Sequence, residues 1–156
     1  DISKLTDMII PFLSDYDLSE LSREKLEKMV EITREPLTTL KDIQKDVPYF
    51  FGEDVPLDEV KELLTTELSK NVLNKFMELA QKWDFNNEQE LHDDLQKLRD
   101  DFKANFGYKP KETMWAIRAA VTGRTRGADM VGILTILGKD KVLRRIKNAM
   151  NLQVGV

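Results

Sequence analysis

The strongest constraint on the fold is a helical repeat of apolar residues in the second half of the chain. Five of them follow at spacings of four, three, four and four residues: Leu91, Leu95, Leu98, Phe102 and Phe106. This spacing places them on one face of an α-helix. Gly107 comes directly afterwards and can adopt the left-handed conformation that commonly ends helices. The pattern predicts one long amphipathic helix that ends near residue 106.

Helical periodicity recurs along almost the whole chain, and no segment alternates between apolar and polar residues as a strand would. Composition agrees, since 41% of the 156 residues are hydrophobic and only 7 glycines and 5 prolines interrupt them. We therefore predict an all-α fold. The predicted helices span about residues 3–14, 22–35, 38–47, a short one from 58, 66–83, 86–106, 110–122, 129–138 and 140–150.

Several predicted helix ends carry recognisable signals. Polar residues suited to capping a helix start are Ser22, Asp58, Asn86 and Asp129. Gln89 follows three residues after Asn86, the spacing of a capping box. Pro110 suits the first turn of a helix, and Gly123 suits the end of the same helix.

The segment from Tyr49 to Pro56 breaks the helical periodicity and contains Gly52. Such a break is typical of a junction between two parts of a fold. We predict a boundary near Gly52, with one helical part at 1–52 and a second at 53–156.

Charge is divided unevenly along the chain, although the net charge is only −4. Residues 1–108 carry 14 lysines and arginines against 25 acidic residues, giving −11, and residues 109–156 carry 10 against 3, giving +7. A basic segment of this kind favours contact with a polyanion. The alternative is a solvated charged surface with no partner.

Several classes of function lack the residues that they need. Cysteine is absent, His92 is the only histidine, and no phosphate-binding loop or dinucleotide fingerprint is present. We expect no catalytic residue, metal site or cofactor in this chain. The apolar run 8–13 is too short to cross a bilayer, so no membrane partner is expected. Because the chain starts at Asp1 without a methionine, we expect a further region upstream.

The segment 114–146 carries the most specific motif. An Arg-x-Ala-x-Thr-Gly helix end at 118–123 leads through a loop and a short helix to Leu137-Gly138 and a basic last helix. This order resembles the C-terminal end of bacterial-type glutamyl-tRNA synthetases. The Thr-Leu segment at 37–43 and the aromatic residues after Pro48 resemble the same family.

The resemblance implies an all-helical anticodon-binding region, in which a small helical bundle is followed by an α-helical cage. The family's enzymes use ATP and magnesium to join glutamate to tRNA, but their His-x-Gly-His and Lys-x-Ser-Lys signatures are absent here. The expected role is to bind glutamate-accepting tRNA without charging it. We also expect a catalytic domain upstream, a monomer and a cytoplasmic location.

Trp115, Arg118 and Thr122 are spaced by three and four residues and therefore share one face of their predicted helix. Met114 and Ile117 belong to its inward stripe. An exposed indole beside a guanidinium and a hydroxyl suits unpaired bases, which stack on aromatic rings and offer their edges to hydrogen bonds. The alternative places Trp115 in the core and makes Arg118 a partner in an ion pair.

The resemblance assigns the anticodon-contacting arginine to Arg118. It also implies tRNA contacts for the adjoining loop, whose candidate residues are Arg124, Arg126, Gly127, Ala128 and Met130. Relatives commonly have Thr-Pro-Gly-Leu at positions 127–130, whereas this chain has Gly-Ala-Asp-Met. Asp129 stands where that motif has glycine, and it suits a helix cap.

A further arginine of the family helps to separate glutamate tRNA from glutamine tRNA. Pro36 stands at its expected position, and Arg34 lies two residues earlier. Arg34 is therefore a candidate for tRNA contact by a different path. Whether this chain discriminates between the two tRNAs stays open.

The last predicted helix offers a diffuse basic surface for phosphates, with Lys141, Arg144, Arg145 and Lys147 predicted to face solvent. Two other functions remain as alternatives. A helical protein-interaction module would use the acidic first part of the chain. A DNA-binding domain would use the last helix for recognition, although Asp140 near its start disfavours contact with bases.

Overall fold

The structure, a computed structural model, describes residues 1–34 and 47–154, and these form eight α-helices and no strand. The all-α prediction is confirmed. The helices are α1 Ile2–Ile9, α2 Arg23–Thr33, α3 Lys61–Leu64, α4 Glu67–Ala80, α5 Glu88–Phe106, α6 Pro110–Thr122, α7 Met130–Leu137 and α8 Lys139–Val154. Short 3₁₀ helices occupy Ile10–Leu13, Leu18–Glu20, Pro48–Phe50 and Asp58–Val60. The helix predicted at 38–47, and the resemblance at 37–43, lie almost wholly outside the described residues.

Most helix ends follow local chemistry. Ser22, Thr66 and Asp129 each cap a helix by accepting a hydrogen bond from a backbone N–H of its first turn. Gly107 and Gly123 end α5 and α6 with left-handed φ angles of +72° and +74°. A Cβ at Gly123 would also overlap the carbonyl oxygen of residue 56, across the chain.

Two predicted caps are wrong. Asn87, not Asn86, caps α5, because its side chain accepts from the backbone N–H of Glu90 at 3.1 Å. Two adjacent asparagines offer equivalent local signals, and the chain uses the second. Asp58 does not cap a helix, because a 3₁₀ turn begins at Asp58 itself and precedes α3.

Helices α4, α6 and α8 pack against one another at the centre, and α5 lies against α6 and α7. Helices α1 and α2 form a pair, and α2 packs on α7. The two helices come close together at Gly132, where a Cβ would lie 3.0 Å from the side chain of Ile32. The buried apolar residues form one cluster that runs from Ile9 to Ala149. The division into parts at 1–52 and 53–156 stays a prediction.

Candidate nucleic-acid interface

A shallow pocket of about 740 Å³ opens between α6, α3 and the loop that joins α6 to α7. Its lining combines apolar, aromatic and basic side chains with loop backbone: Leu63, Lys111, Met114, Trp115, Arg118, Thr125, Arg126 and Gly127. Four of the residues predicted to contact tRNA therefore line one pocket: Trp115, Arg118, Arg126 and Gly127.

Trp115 lies on the surface, with 38% of its area exposed, so the alternative that places this indole in the core is wrong. The ammonium of Lys111, one helical turn earlier, lies 5.3 Å from the ring centroid in a cation–π contact. This contact orients the indole. Met114 was predicted to face inward, but it is only half-buried and lines the pocket.

Arg118 is half-buried, and its Nη1 donates to the carbonyl of Ala128 at 2.8 Å. Burial lowers the pKa of Arg118, while nearby Tyr49 and Asp129 act in the opposite direction. The alternative interpretation made Arg118 a partner in an ion pair, but no described residue forms an ion pair with it. A guanidinium has five N–H donors, so one contact with the loop leaves others to serve a ligand in the pocket.

Two predicted contact residues are withdrawn from the surface. Thr122 is 3% exposed, and its hydroxyl lies 2.8 Å from the carbonyl oxygen of Arg118 while accepting from the N–H of Arg124 at 3.1 Å. It closes the end of α6 instead of sharing the face of Trp115. Met130 is 6% exposed. It is the first residue of α7, an apolar helix that is buried on most sides.

The loop itself approaches α6 closely at Gly127. A Cβ there would lie 2.9 Å from the Tyr49 hydroxyl and 3.2 Å from Arg118 Nη1. Ala128 is half-buried, whereas Arg126 is exposed, and Arg124 is partly buried. A side chain at position 127 would therefore displace the Tyr49 hydroxyl or the Arg118 guanidinium.

The basic surface predicted on α8 is smaller than expected. Arg145 is 1% exposed, and its guanidinium donates to five backbone carbonyls, those of residues 49, 51, 52, 53 and 121. The expectation that Arg145 faces solvent is therefore wrong, because the side chain satisfies carbonyls that no helix or sheet pairs. Burial is the main cause that lowers the pKa of Arg145, to about 10.

Two neighbours of Arg145 are also engaged. The Lys141 side chain is only 15% exposed and its ammonium lies 3.6 Å from the Glu20 carboxylate, so its predicted exposure is wrong too. Arg144 is exposed but pairs with Asp54 through Nε at 2.9 Å. Lys147 remains exposed. Because most basic side chains of α8 have partners within the protein, few of them are available for recognition of DNA.

Arg34 is exposed directly after the end of α2. Ile32, two residues earlier, packs on Gly132 in α7, so the end of α2 lies beside the helix that follows the loop. Arg34 does not line the pocket. Pro36 lies outside the described residues.

Sequence reasoning missed the contribution of Tyr49 to this site. Its hydroxyl accepts a hydrogen bond from the N–H of Ala128 at 3.3 Å, across 79 residues of sequence. Lys111 and Leu63 were also missed as lining residues. The one available signal was local, because Lys111 precedes Trp115 by four residues and lies on the same helical face.

Two features bear on metals and membranes. Across residues 1–34 and 47–154, no group of three or more histidine, cysteine, aspartate or glutamate side chains is placed to hold a metal ion. None of the helices in this part of the chain is long and apolar enough to span a bilayer.

The fold has counterparts among solved structures. A glutamate tRNA ligase from Elizabethkingia meningosepticum matches with a TM-score of 0.71 and 21% identity, over 94% of this chain and 29% of that chain. The glutamate-tRNA synthetase of Elizabethkingia anophelis matches with a TM-score of 0.61 and 23% identity, over 94% and 28%. At these identities the likeness shows the fold.

Sequence comparison gives the family. The glutamate–tRNA ligase of Fusobacterium nucleatum is 32% identical over 95% of this chain and 33% of its own length. That of Elusimicrobium minutum is 34% identical over 95% and 30%. The chain thus spans about a third of the length of these curated relatives. It also matches the anticodon binding domain family over residues 4–150, and it therefore belongs to that family.

Proposed function

We propose that this chain binds glutamate-accepting tRNA by its anticodon, in the pocket between α6 and the loop at 123–129. The observation that carries the proposal is the placement of Arg118 beside Trp115. The guanidinium is fixed by its bond to the Ala128 carbonyl, and an exposed indole lies one helical turn away. Unpaired bases are recognised by this combination of a stacking surface and donors aimed at base edges.

Charge around the pocket supports a polyanionic ligand. Lys111 and Arg126 lie in its lining, and Lys109 and Arg124 flank it along the chain. Residues 109–156 carry a net charge of +7. Phosphates passing the pocket would therefore meet basic side chains, which supply affinity without base preference. Arg145 is excluded from this surface because it is buried.

The remaining roles concern the protein to which this region belongs. We propose that it is part of an ATP-dependent glutamate–tRNA ligase whose catalytic domain lies upstream and binds ATP and magnesium. No signature for that chemistry occurs in this chain, so the isolated region should not activate glutamate. Glutamate-dependent pyrophosphate exchange above background by the purified region would contradict this. A cytoplasmic location and a monomeric state belong to the same proposal.

The test compares Arg118→Ala with Arg126→Ala, an exposed arginine in the same pocket. Each variant is titrated with a glutamate tRNA and with a copy altered in its anticodon, at two salt concentrations. A base-reading arginine is worth roughly 1–3 kcal/mol of discrimination, whereas a phosphate contact reduces the salt slope by about one. We expect Arg118→Ala to reduce the preference between the two tRNAs and Arg126→Ala to weaken binding to both equally.

Three outcomes would contradict the proposal. If the unchanged protein binds both tRNAs equally, the region does not read the anticodon. If Arg118→Ala keeps the preference, another residue reads the bases. Strong binding to a protein partner together with weak binding to tRNA would favour the interaction-module alternative.

A further inference from the structure

The two peptide groups that meet at Ala128 are each held by a side chain. The N–H of Ala128 donates to the Tyr49 hydroxyl at 3.3 Å, and its carbonyl accepts from Arg118 Nη1 at 2.8 Å. With a hydrogen bond on each side of its Cα, Ala128 has less freedom to change its φ and ψ angles. The direction of the Arg118 guanidinium therefore depends on a loop residue whose backbone Tyr49 restrains.

Tyr49 is itself fixed relative to α6. Its ring is 2% exposed and packs at 4.6 Å, centroid to centroid, on Phe50. Its backbone carbonyl accepts from Arg145 Nη1 at 2.6 Å, and the same nitrogen donates to the Val121 carbonyl at 2.8 Å. Because Val121 lies on α6, one buried nitrogen ties the backbone of Tyr49 to the helix that carries Arg118.

Gly127 brings the three groups together. A Cβ at this position would lie 2.9 Å from the Tyr49 hydroxyl and 3.2 Å from Arg118 Nη1. The Tyr49 hydroxyl and the Arg118 guanidinium therefore both lie next to the loop backbone at position 127. A side chain added at this position would press on both Tyr49 and Arg118.

We propose that Tyr49 is a positioning residue for base recognition: its hydroxyl holds the backbone N–H of Ala128, and the carbonyl of the same residue in turn sets the direction of the Arg118 guanidinium. This inference rests on the proposed function, since it names how the same pocket is made selective. Tyr49 is buried and does not line the pocket, so its effect on tRNA passes through Arg118 rather than through direct contact.

The test is Tyr49→Phe, which removes the hydroxyl and keeps the buried ring. Tyr108→Phe is the matched control, because the Tyr108 hydroxyl also has a hydrogen-bond partner, the Asn71 amide at 3.0 Å, but lies outside the pocket lining. One hydrogen bond corresponds to about a threefold to tenfold change in an equilibrium constant. We expect Tyr49→Phe to reduce the preference for glutamate tRNA by about that factor, and Tyr108→Phe to leave it unchanged.

Two further readouts separate positioning from general stability. Amide hydrogen exchange at Ala128 should become faster in Tyr49→Phe, without tRNA present, while the salt dependence of tRNA binding stays the same. In an Arg118→Ala background, Tyr49→Phe should cost no further preference, because residues that act as a unit are not additive.

The outcomes distinguish this inference from the proposed function. A preference in the unchanged protein that survives Tyr49→Phe overturns the role of Tyr49 alone. Full additivity of the two substitutions overturns it as well, because Tyr49 would then act independently of Arg118. Equal loss of preference in Tyr108→Phe would indicate general destabilisation and overturn it too. Absence of preference in the unchanged protein instead overturns the proposed function.

Discussion

Replacing Arg145 with methionine removes a guanidinium from a buried site but keeps a long side chain there. Three of its five carbonyl partners belong to the buried residues Tyr49, Phe51 and Val121. A buried acceptor that loses its donor costs about 1–3 kcal/mol. Burial of the methionine offsets part of this loss, so we expect the free energy of unfolding to fall by about 3–5 kcal/mol.

The effect should not depend on pH near neutrality. Burial lowers the pKa of Arg145 to about 10, so the guanidinium is still charged at neutral pH in the folded state. Because the folded pKa is the depressed one, stability rises only as pH increases above that value, where the folded protein loses its proton first. The loss caused by methionine should therefore be the same across about pH 6–8.

Urea unfolding followed by far-ultraviolet circular dichroism measures this change. The free energy of unfolding of Arg145→Lys should lie between those of the unchanged protein and Arg145→Met. An ammonium keeps the charge but cannot reach the carbonyls in the fork geometry of a guanidinium. Arg144→Met is the control, since Arg144 is adjacent in sequence, exposed and paired with Asp54. A cost below about 1 kcal/mol, or one equal to that of Arg144→Met, would refute the structural role.

Three further predictions test the pocket and the helix ends. Trp115→Phe should weaken tRNA binding with little effect on thermal unfolding, whereas Trp83→Phe, at a 9% exposed site, should lower the melting temperature. A several-degree fall for Trp115→Phe with unchanged affinity would reject stacking. Gly107→Ala should cost about 1 kcal/mol for its left-handed conformation, and Gly123→Ala more, because the new methyl also overlaps a backbone carbonyl. Equal melting temperatures of these two variants would disprove that overlap. Asp129→Asn keeps the cap of α7 but removes a negative charge near Arg118, so tRNA affinity should rise, and an unchanged titration would argue against phosphates passing there.

Local signals predicted most of the described helices well. Ser22 and Asp129 cap as expected, and Gly107 and Gly123 end their helices, because each signal acts within a few residues of chain. Local reasoning erred at Asn86, where two adjacent residues have the same capping chemistry. Their shared residue type therefore could not distinguish the two positions.

The candidate contact residues were less predictable, because several that were expected at the surface have partners elsewhere in the fold. By its residue type and its position in the helical repeat, Arg145 is typical of the surface of an amphipathic helix. It is buried because its guanidinium donates hydrogen bonds to carbonyls 92 to 96 residues earlier. Lys141 is also turned away from solvent, with its ammonium near the Glu20 carboxylate. Thr122 was placed correctly on its helix, but its hydroxyl bonds back to the preceding turn, a contact that helical spacing alone does not reveal.

During synthesis of the chain, Arg145 is made much later than the carbonyl groups that it contacts. Residues 49–53 leave the ribosome more than 90 residues before the side chain that binds their carbonyls. At about 5–20 residues per second, that interval is roughly 5–20 s. Until Arg145 emerges, these carbonyls lack the guanidinium that pairs with them in the folded protein, and water can take its place. Helix α8 therefore completes the contacts of a segment made much earlier.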